Sequence, residues 1–176
     1  MRENFADEEW TTLLQAPMQV VMAVCLADRV DPVSFLQELK SGVAIVAEEL
    51  QRSDVVGDLA PALISSLAEL DNADALQGDQ LLLKKQFELL GLIQTFKSSK
   101  EGRDYVIANL QKVVAILDVK ATGAQASELK QWLMSVAIKV AEAYREGGVL
   151  GIGSSRISDK ENEVLKKISE ALGVKY

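Results

Sequence analysis

The chain has no histidine and a single cysteine in 176 residues. The missing histidine removes Ser-His-Asp and Cys-His nucleophile pairs, histidine-ligated zinc or haem, and the Glu-x-x-His signature of di-iron bundles. The one cysteine, Cys25, has no partner for an intramolecular disulfide. It lies within the apolar run VVMAVCLA, where a buried, inert thiol is the expectation, and no cationic residue stands near it in sequence to activate it. Aromatic residues make up only 5% of the chain, so its core must be built from Leu, Val, Ile and Ala, which suits helices packed on helices. Three prolines and eleven glycines are too few for the many turns of an all-β fold. The longest apolar run, Val20 to Ala27, falls far short of the roughly 20 residues that span a bilayer. The first ten residues, MRENFADEEW, are acidic where a secretory signal needs an apolar stretch. These features predict a soluble, cytoplasmic protein of a reducing compartment, with no membrane partner.

What is present is ordinary for a globular protein, with 48% hydrophobic and 26% charged residues. The formal charge of −7 is unevenly spread: residues 1–60 carry −7, residues 61–118 carry −2 and residues 119–176 carry +2. An acidic body repels phosphate backbones and anionic lipid, so nucleic acid is not expected as a partner. The last third alone is electrostatically open to an anion. Lys84-Lys85 and Lys166-Lys167 are isolated pairs, too sparse for a nucleic-acid stripe.

The hydrophobic periodicity reads as helix after helix. Trp10, Leu14, Pro17, Val21 and Val24 recur at helical spacing in the first, with a kink or restart expected at Pro17. Asp31-Pro32 reads as an N-cap followed by proline at the first helical position. From there Phe35, Leu36, Leu39, Val43, Val46 and Leu50 continue through Gly42, as one helix with a weak point or as two short ones. Leu59, Leu63, Leu67 and Leu70 follow, and then a loop over 71–79. In QLLLKKQFELLGLIQTF, residues 80–96, apolar side chains surround the helix, which predicts a central, mostly buried element. Residues 97–104 read as a polar break and residues 120–127 as a turn. Between them lies the stripe Val106, Leu110, Val113, Val114 and Leu117. Leu129, Trp132, Leu133, Val136, Val140 and Tyr144 form the clearest amphipathic pattern. Ser158 and Glu161 have capping-box spacing before a last helix that stops at Gly173. The expectation is a single all-α domain over 1–176, a bundle of about seven helices with no internal repeat.

Four glycines fall within seven residues in GGVLGIGSSRIS, at Gly147, Gly148, Gly151 and Gly153. Backbone N–H groups there, with Ser154, Ser155 and Arg156, can hold a phosphate or carboxylate at the start of a helix. The segment has no GK[ST] and follows a helix, so it is neither a P-loop nor a dinucleotide fingerprint. A packed chain reversal, with Gly147 and Gly148 as C-cap residues, explains it without a ligand and is the first expectation. Asp28 and Asp31 offer two carboxylates to a hard cation, but such sites need more oxygen ligands, and Asp31 has a capping role. Glu8 and Glu9 fit a helix start, where the dipole favours negative charge, and Glu48 and Glu49 are expected on a solvated face. Trp10 and Trp132 sit on apolar stripes and read as core anchors rather than binding hot spots. No residue is assigned a catalytic or metal-binding role, and no cofactor is implied.

EEWTTLLQAP near the N-terminus and WLMSVAIKVAEAYREGGVLGIGSSRISDKE near the C-terminus resemble a group of small all-helical bacterial proteins with no assigned activity. That group shares EEW…LLQAP and KVAEA…EGG-x-LG-x-G…S-x-x-E, so the resemblance makes the glycine-rich segment a family feature. A fainter similarity, through a helix ending in Leu26-Ala27-Asp28, is to tellurite-resistance B-like helical domains, whose richer acidic loops are missing here. The functional expectation is a non-enzymatic helical interaction or regulatory module that takes a protein partner or a second copy of itself. Two alternatives stand beside it. One is binding of a small molecule or anion through residues 147–156, with Gly151, Gly153, Ser154, Ser155 and Arg156 as the ligand-binding set. The other is a metal-dependent stress-response protein.

Overall fold

The computed structural model describes residues 1–28, 30–146 and 157–176, apart from the side chains of 144–146. Among the described residues a short 3-10 turn, Arg2–Asn4, precedes seven α-helices, and there is no strand. The helices are α1 (Asp7–Cys25), α2 (Pro32–Glu49), α3 (Leu59–Ala73), α4 (Asp79–Gln94), α5 (Ser99–Lys120), α6 (Gly123–Glu146) and α7 (Asp159–Leu172). No helix among the described residues is long and apolar enough to cross a membrane.

The centre of the bundle is α1, not residues 80–96. Every residue from Val20 to Ala27 is buried, and α1 packs against all six other helices. The expectation for α4 is overturned: of its many apolar residues only Leu81 and Leu89 are buried. It packs on α2 and at a few points on α1, so one face is covered and the rest faces solvent. An all-round apolar wheel shows that a helix has more than one sticky face, and α1 already occupies the middle. Leu70, expected on the buried stripe of α3, is likewise exposed, whereas Leu59 and Leu63 are fully buried.

Local chemistry sets most helix ends. The Asp31 carboxylate accepts from the Val33 and Ser34 N–H groups at 3.1 and 3.0 Å, with Pro32 at the first helical position. The expected box at α7 is complete: Glu161 N–H donates to Ser158 Oγ at 3.1 Å, and Ser158 N–H to Glu161 Oε2 at 2.7 Å. Gly173 ends that helix in the left-handed conformation, φ 68°. The polar break at 97–104 is shorter than its composition implies, because Ser98 caps α5 and residues from Ser99 onward are helical. The turn at 120–127 shrinks to Ala121 and Thr122. Thr122 and Gln125 there exchange side-chain to backbone hydrogen bonds at 3.1 and 3.3 Å, so α6 begins at once.

α1 runs unbroken through Pro17, and α2 runs unbroken through Gly42. Gly42 is a contact requirement rather than a weak point. A Cβ placed there would lie 2.5 Å from Val21 Cγ1, so the glycine lets α2 approach the central helix closely. One cluster of buried apolar side chains extends from Phe5 to Leu172 and draws on all seven helices. Trp10 and Trp132 both belong to it, as their stripes predict. Replacing Gly42 with Ala forces Val21 or the whole helix to move. The expected outcome is a loss of about 1–3 kcal/mol in chemical denaturation, despite alanine's higher helix propensity. A variant as stable as the wild type would refute this account of the α1–α2 contact.

Candidate functional site

The ligand-binding set expected from the sequence, Gly151, Gly153, Ser154, Ser155 and Arg156, lies outside the described residues, as do Gly147 and Gly148. The chain is described again from Ile157, which packs on the core, and from Ser158. Ser158 Oγ donates to Asp28 Oδ2 at 2.7 Å, and Lys160 Nζ lies 3.7 Å from Asp28 Oδ1. Asp28 therefore ties the end of α1 to the start of α7. Asp31 serves α2, where hydrogen bonds from Ser34 and then Val33 hold its carboxyl below the ordinary aspartate value. The two carboxylates that spacing offered to a cation thus have separate partners. No group of three or more metal-ligating side chains occurs among the described residues.

Cys25 is buried, and burial pushes its thiol well up, with Glu38 and Glu161 adding in the same direction. The thiolate needed for nucleophilic attack is therefore strongly disfavoured.

Glu49 departs from expectation. Glu48 is exposed as predicted, but Glu49 at the end of α2 is only 3% exposed. Trp132 Nε1 donates to Glu49 Oε2 at 3.0 Å, Arg52 Nη1 donates to the same oxygen at 3.0 Å, and Lys139 Nζ contacts Oε1. Arg52 in turn grips Asp54 through Nε and Nη2 at 2.8 and 2.9 Å. Burial alone would raise the Glu49 carboxyl, but hydrogen bonds from Lys139, Arg52 and Trp132 outweigh it and hold it below its ordinary value of 4.5. Arg52 stands three residues on, a spacing open to sequence reading, but Trp132 and Lys139 come from α6, and sequence spacing carries no sign of them. Glu49 fastens α2 to α6 and leaves no open face for a substrate.

The exposed feature of most interest is apolar. Leu83 and Phe87 on α4 are 52% and 62% exposed, and Val33 and Leu36 at the start of α2 are 65% and 40% exposed. Gln86 Nε2 donates to the Leu36 carbonyl at 2.8 Å, which holds these two groups side by side. Leu83, Phe87 and the half-buried Leu90 recur at i, i+4 and i+7, one stripe on the outer side of α4. Gly91, one turn beyond Phe87, is exposed, and a Cβ built there meets no atom within 4 Å. The neighbouring cations are neutralised: Lys84 contacts Asp74, and Lys85 contacts Asp71. The apolar wheel of residues 80–96 carried the signal for this face, and its outer half is open rather than buried.

Glu49→Gln removes the charge that balances Lys139 and Arg52. Both partners reach water, so a loss of about 1–3 kcal/mol at pH 7 is expected rather than the full cost of a buried ion pair. The folded-state pKa is depressed, so the wild-type advantage is present above the ordinary value of 4.5 and is lost as pH falls through the folded value. Urea titrations of both proteins should show the stability gap closing below pH 4.5, and a gap independent of pH would refute the assignment.

No family model matches this chain, and no curated protein or solved structure shows significant similarity to it.

Proposed function

We propose that this protein acts by binding rather than catalysis, as a helical interaction module that pairs with a second copy of itself through the outer face of α4 and the start of α2. The observation that carries this reading is the stripe of exposed Leu83 and Phe87 with half-buried Leu90, beside exposed Val33 and Leu36. Adjacent exposed apolar side chains of this size are characteristic of interaction surfaces, whereas isolated ones are normal.

Three features favour a second copy as the occupant. The face is self-complementary: Phe87 is a large projecting ring, and Gly91 one turn away leaves open space. In an antiparallel two-fold pairing centred between them, each Phe87 lies over the other chain's Gly91, the reciprocal contact that an isologous dimer requires. The outer ridge is also uncharged over Gln80, Leu83, Phe87, Gly91 and Gln94. Two copies of a chain with net charge −7 repel each other, and a ridge without carboxylates, with Asp31 and Glu88 only at its margins, lessens that repulsion at the contact. Membership of the group of small helical bacterial proteins belongs to the same proposal and supplies no activity of its own.

The test is sedimentation equilibrium of the wild type and of Phe87→Asp. The wild type should form a concentration-dependent dimer, and the substitution should weaken it by about 2 kcal/mol or more, roughly thirtyfold in Kd. Gly91→Leu should weaken it as well, by filling the space that Phe87 needs. Helical circular dichroism should stay unchanged, because both positions face solvent. A wild type that remains monomeric at high concentration, or a dimer indifferent to both substitutions, would overturn the proposal.

A further inference from the structure

A second surface has the opposite character and lies on other helices. Where the end of α1 meets the starts of α5 and α7, the structure forms a cleft of about 580 Å³. Among the described residues five cations line it: Lys97 just before α5, Lys100 and Arg103 in its first turns, and Lys160 and Lys167 from α7. Only two are acidic, Asp28 and Glu163. The described lining therefore carries an excess of three positive charges within a chain whose net charge is −7. Such a concentration of like charge opposes folding through self-repulsion, which the ion pairs of Lys100, Lys160 and Lys167 offset only in part.

The cleft is held in shape from beneath. Gly102 is buried, and a Cβ there would lie 2.6 Å from Leu26 Cδ1, so any larger residue would have to displace the Leu26 side chain where α5 meets the end of α1. Arg103 Nη1 donates to the Leu26 carbonyl at 2.5 Å, which fixes the guanidinium at the cleft. That partner is neutral, so the Arg103 charge is not cancelled by it. Lys100 is drawn to Asp104, Lys160 to Asp28 and Lys167 to Glu163. The Lys97 backbone N–H donates to Glu101 Oε2 at 2.6 Å, and among the described residues its ammonium group is in no ion pair. The ammonium groups are point charges and the guanidinium is a planar fork of donors, a combination that suits phosphate oxygens.

We infer that this cleft binds a small molecule carrying two or more phosphate charges. Its volume is that of a metabolite site rather than of a single ion. The acidic remainder of the chain disfavours a long nucleic acid, whose phosphates would extend past the cleft. The inference is independent of the α4 face and of the glycine-rich segment.

Isothermal titration at constant ionic strength tests it, with inorganic pyrophosphate as probe, ADP as a second arm and citrate as a carboxylate control. Pyrophosphate or ADP should bind clearly more tightly than citrate. If ADP exceeds pyrophosphate, the source is a nucleotide; if the two are equal, the phosphates alone are recognised, and both results support the site. Lys97→Gln should weaken binding several-fold and Lys97→Gln with Lys167→Gln roughly tenfold or more, whereas Lys84→Gln, outside the cleft, should leave it unchanged. Thermal midpoints of these variants without ligand serve as the folding control. Absence of binding at millimolar pyrophosphate and ADP, equal affinity for citrate, or an unaltered double variant would each overturn the inference.

Discussion

Everything else in this bundle is arranged around the burial of α1. A helix apolar on every side from Val20 onward cannot rest on a surface, since any face left open exposes large aliphatic area to water. Six helices are needed to cover it, and each contributes its own stripe to the same cluster. The closeness of that packing is visible where side chains have been removed. Gly42 admits Val21 into the face of α2, and Gly102 admits Leu26 into the first turn of α5. In both places the small residue serves contact between helices rather than a turn.

Polar groups are used sparingly, at the seams. Glu49 gathers an indole N–H, an ammonium and a guanidinium from separate parts of the chain, so that α2, α6 and the turn after α2 meet at one carboxylate. Asp28 does the same more modestly for α1 and α7. A buried carboxylate with charged partners adds little net stability over an apolar contact, but it accepts only one arrangement of its neighbours. These two residues therefore act on the geometry of the bundle, whereas its stability comes from the core.

The surface left over falls into two unlike regions. The outer side of α4 is apolar and uncharged along its ridge, and the cleft between α1, α5 and α7 is polar and cationic. Their chemistry suits different occupants: another protein surface on one and a compact anion on the other. Because α1, α2 and α5 join both regions to the same core, occupation of either bears on a single packed body.

The sequence by itself determined the helical class, several helix ends and much of the core. These depend on residues three or four apart: the stripes of α1, α5 and α6, the Asp31 cap, the Ser158–Glu161 box and the stop at Gly173. Tryptophan burial was legible for the same reason. Rank within the bundle was not. Periodicity reports how much of a helix is apolar, but not whether other helices remain to cover it, so α4 read as central although α1 held that place. Glu49 read as solvated because the α6 side chains that bury and bond it lie 83 and 90 residues further along the chain. Lys97, Lys100 and Arg103 read as a polar break because the α7 lysines that share their cleft are distant in sequence. Only the tertiary structure decided these matters. Local hydrogen bonding and side-chain periodicity are properties of neighbouring residues, whereas burial, charge balance and the shape of a cleft depend on what the rest of the chain brings alongside.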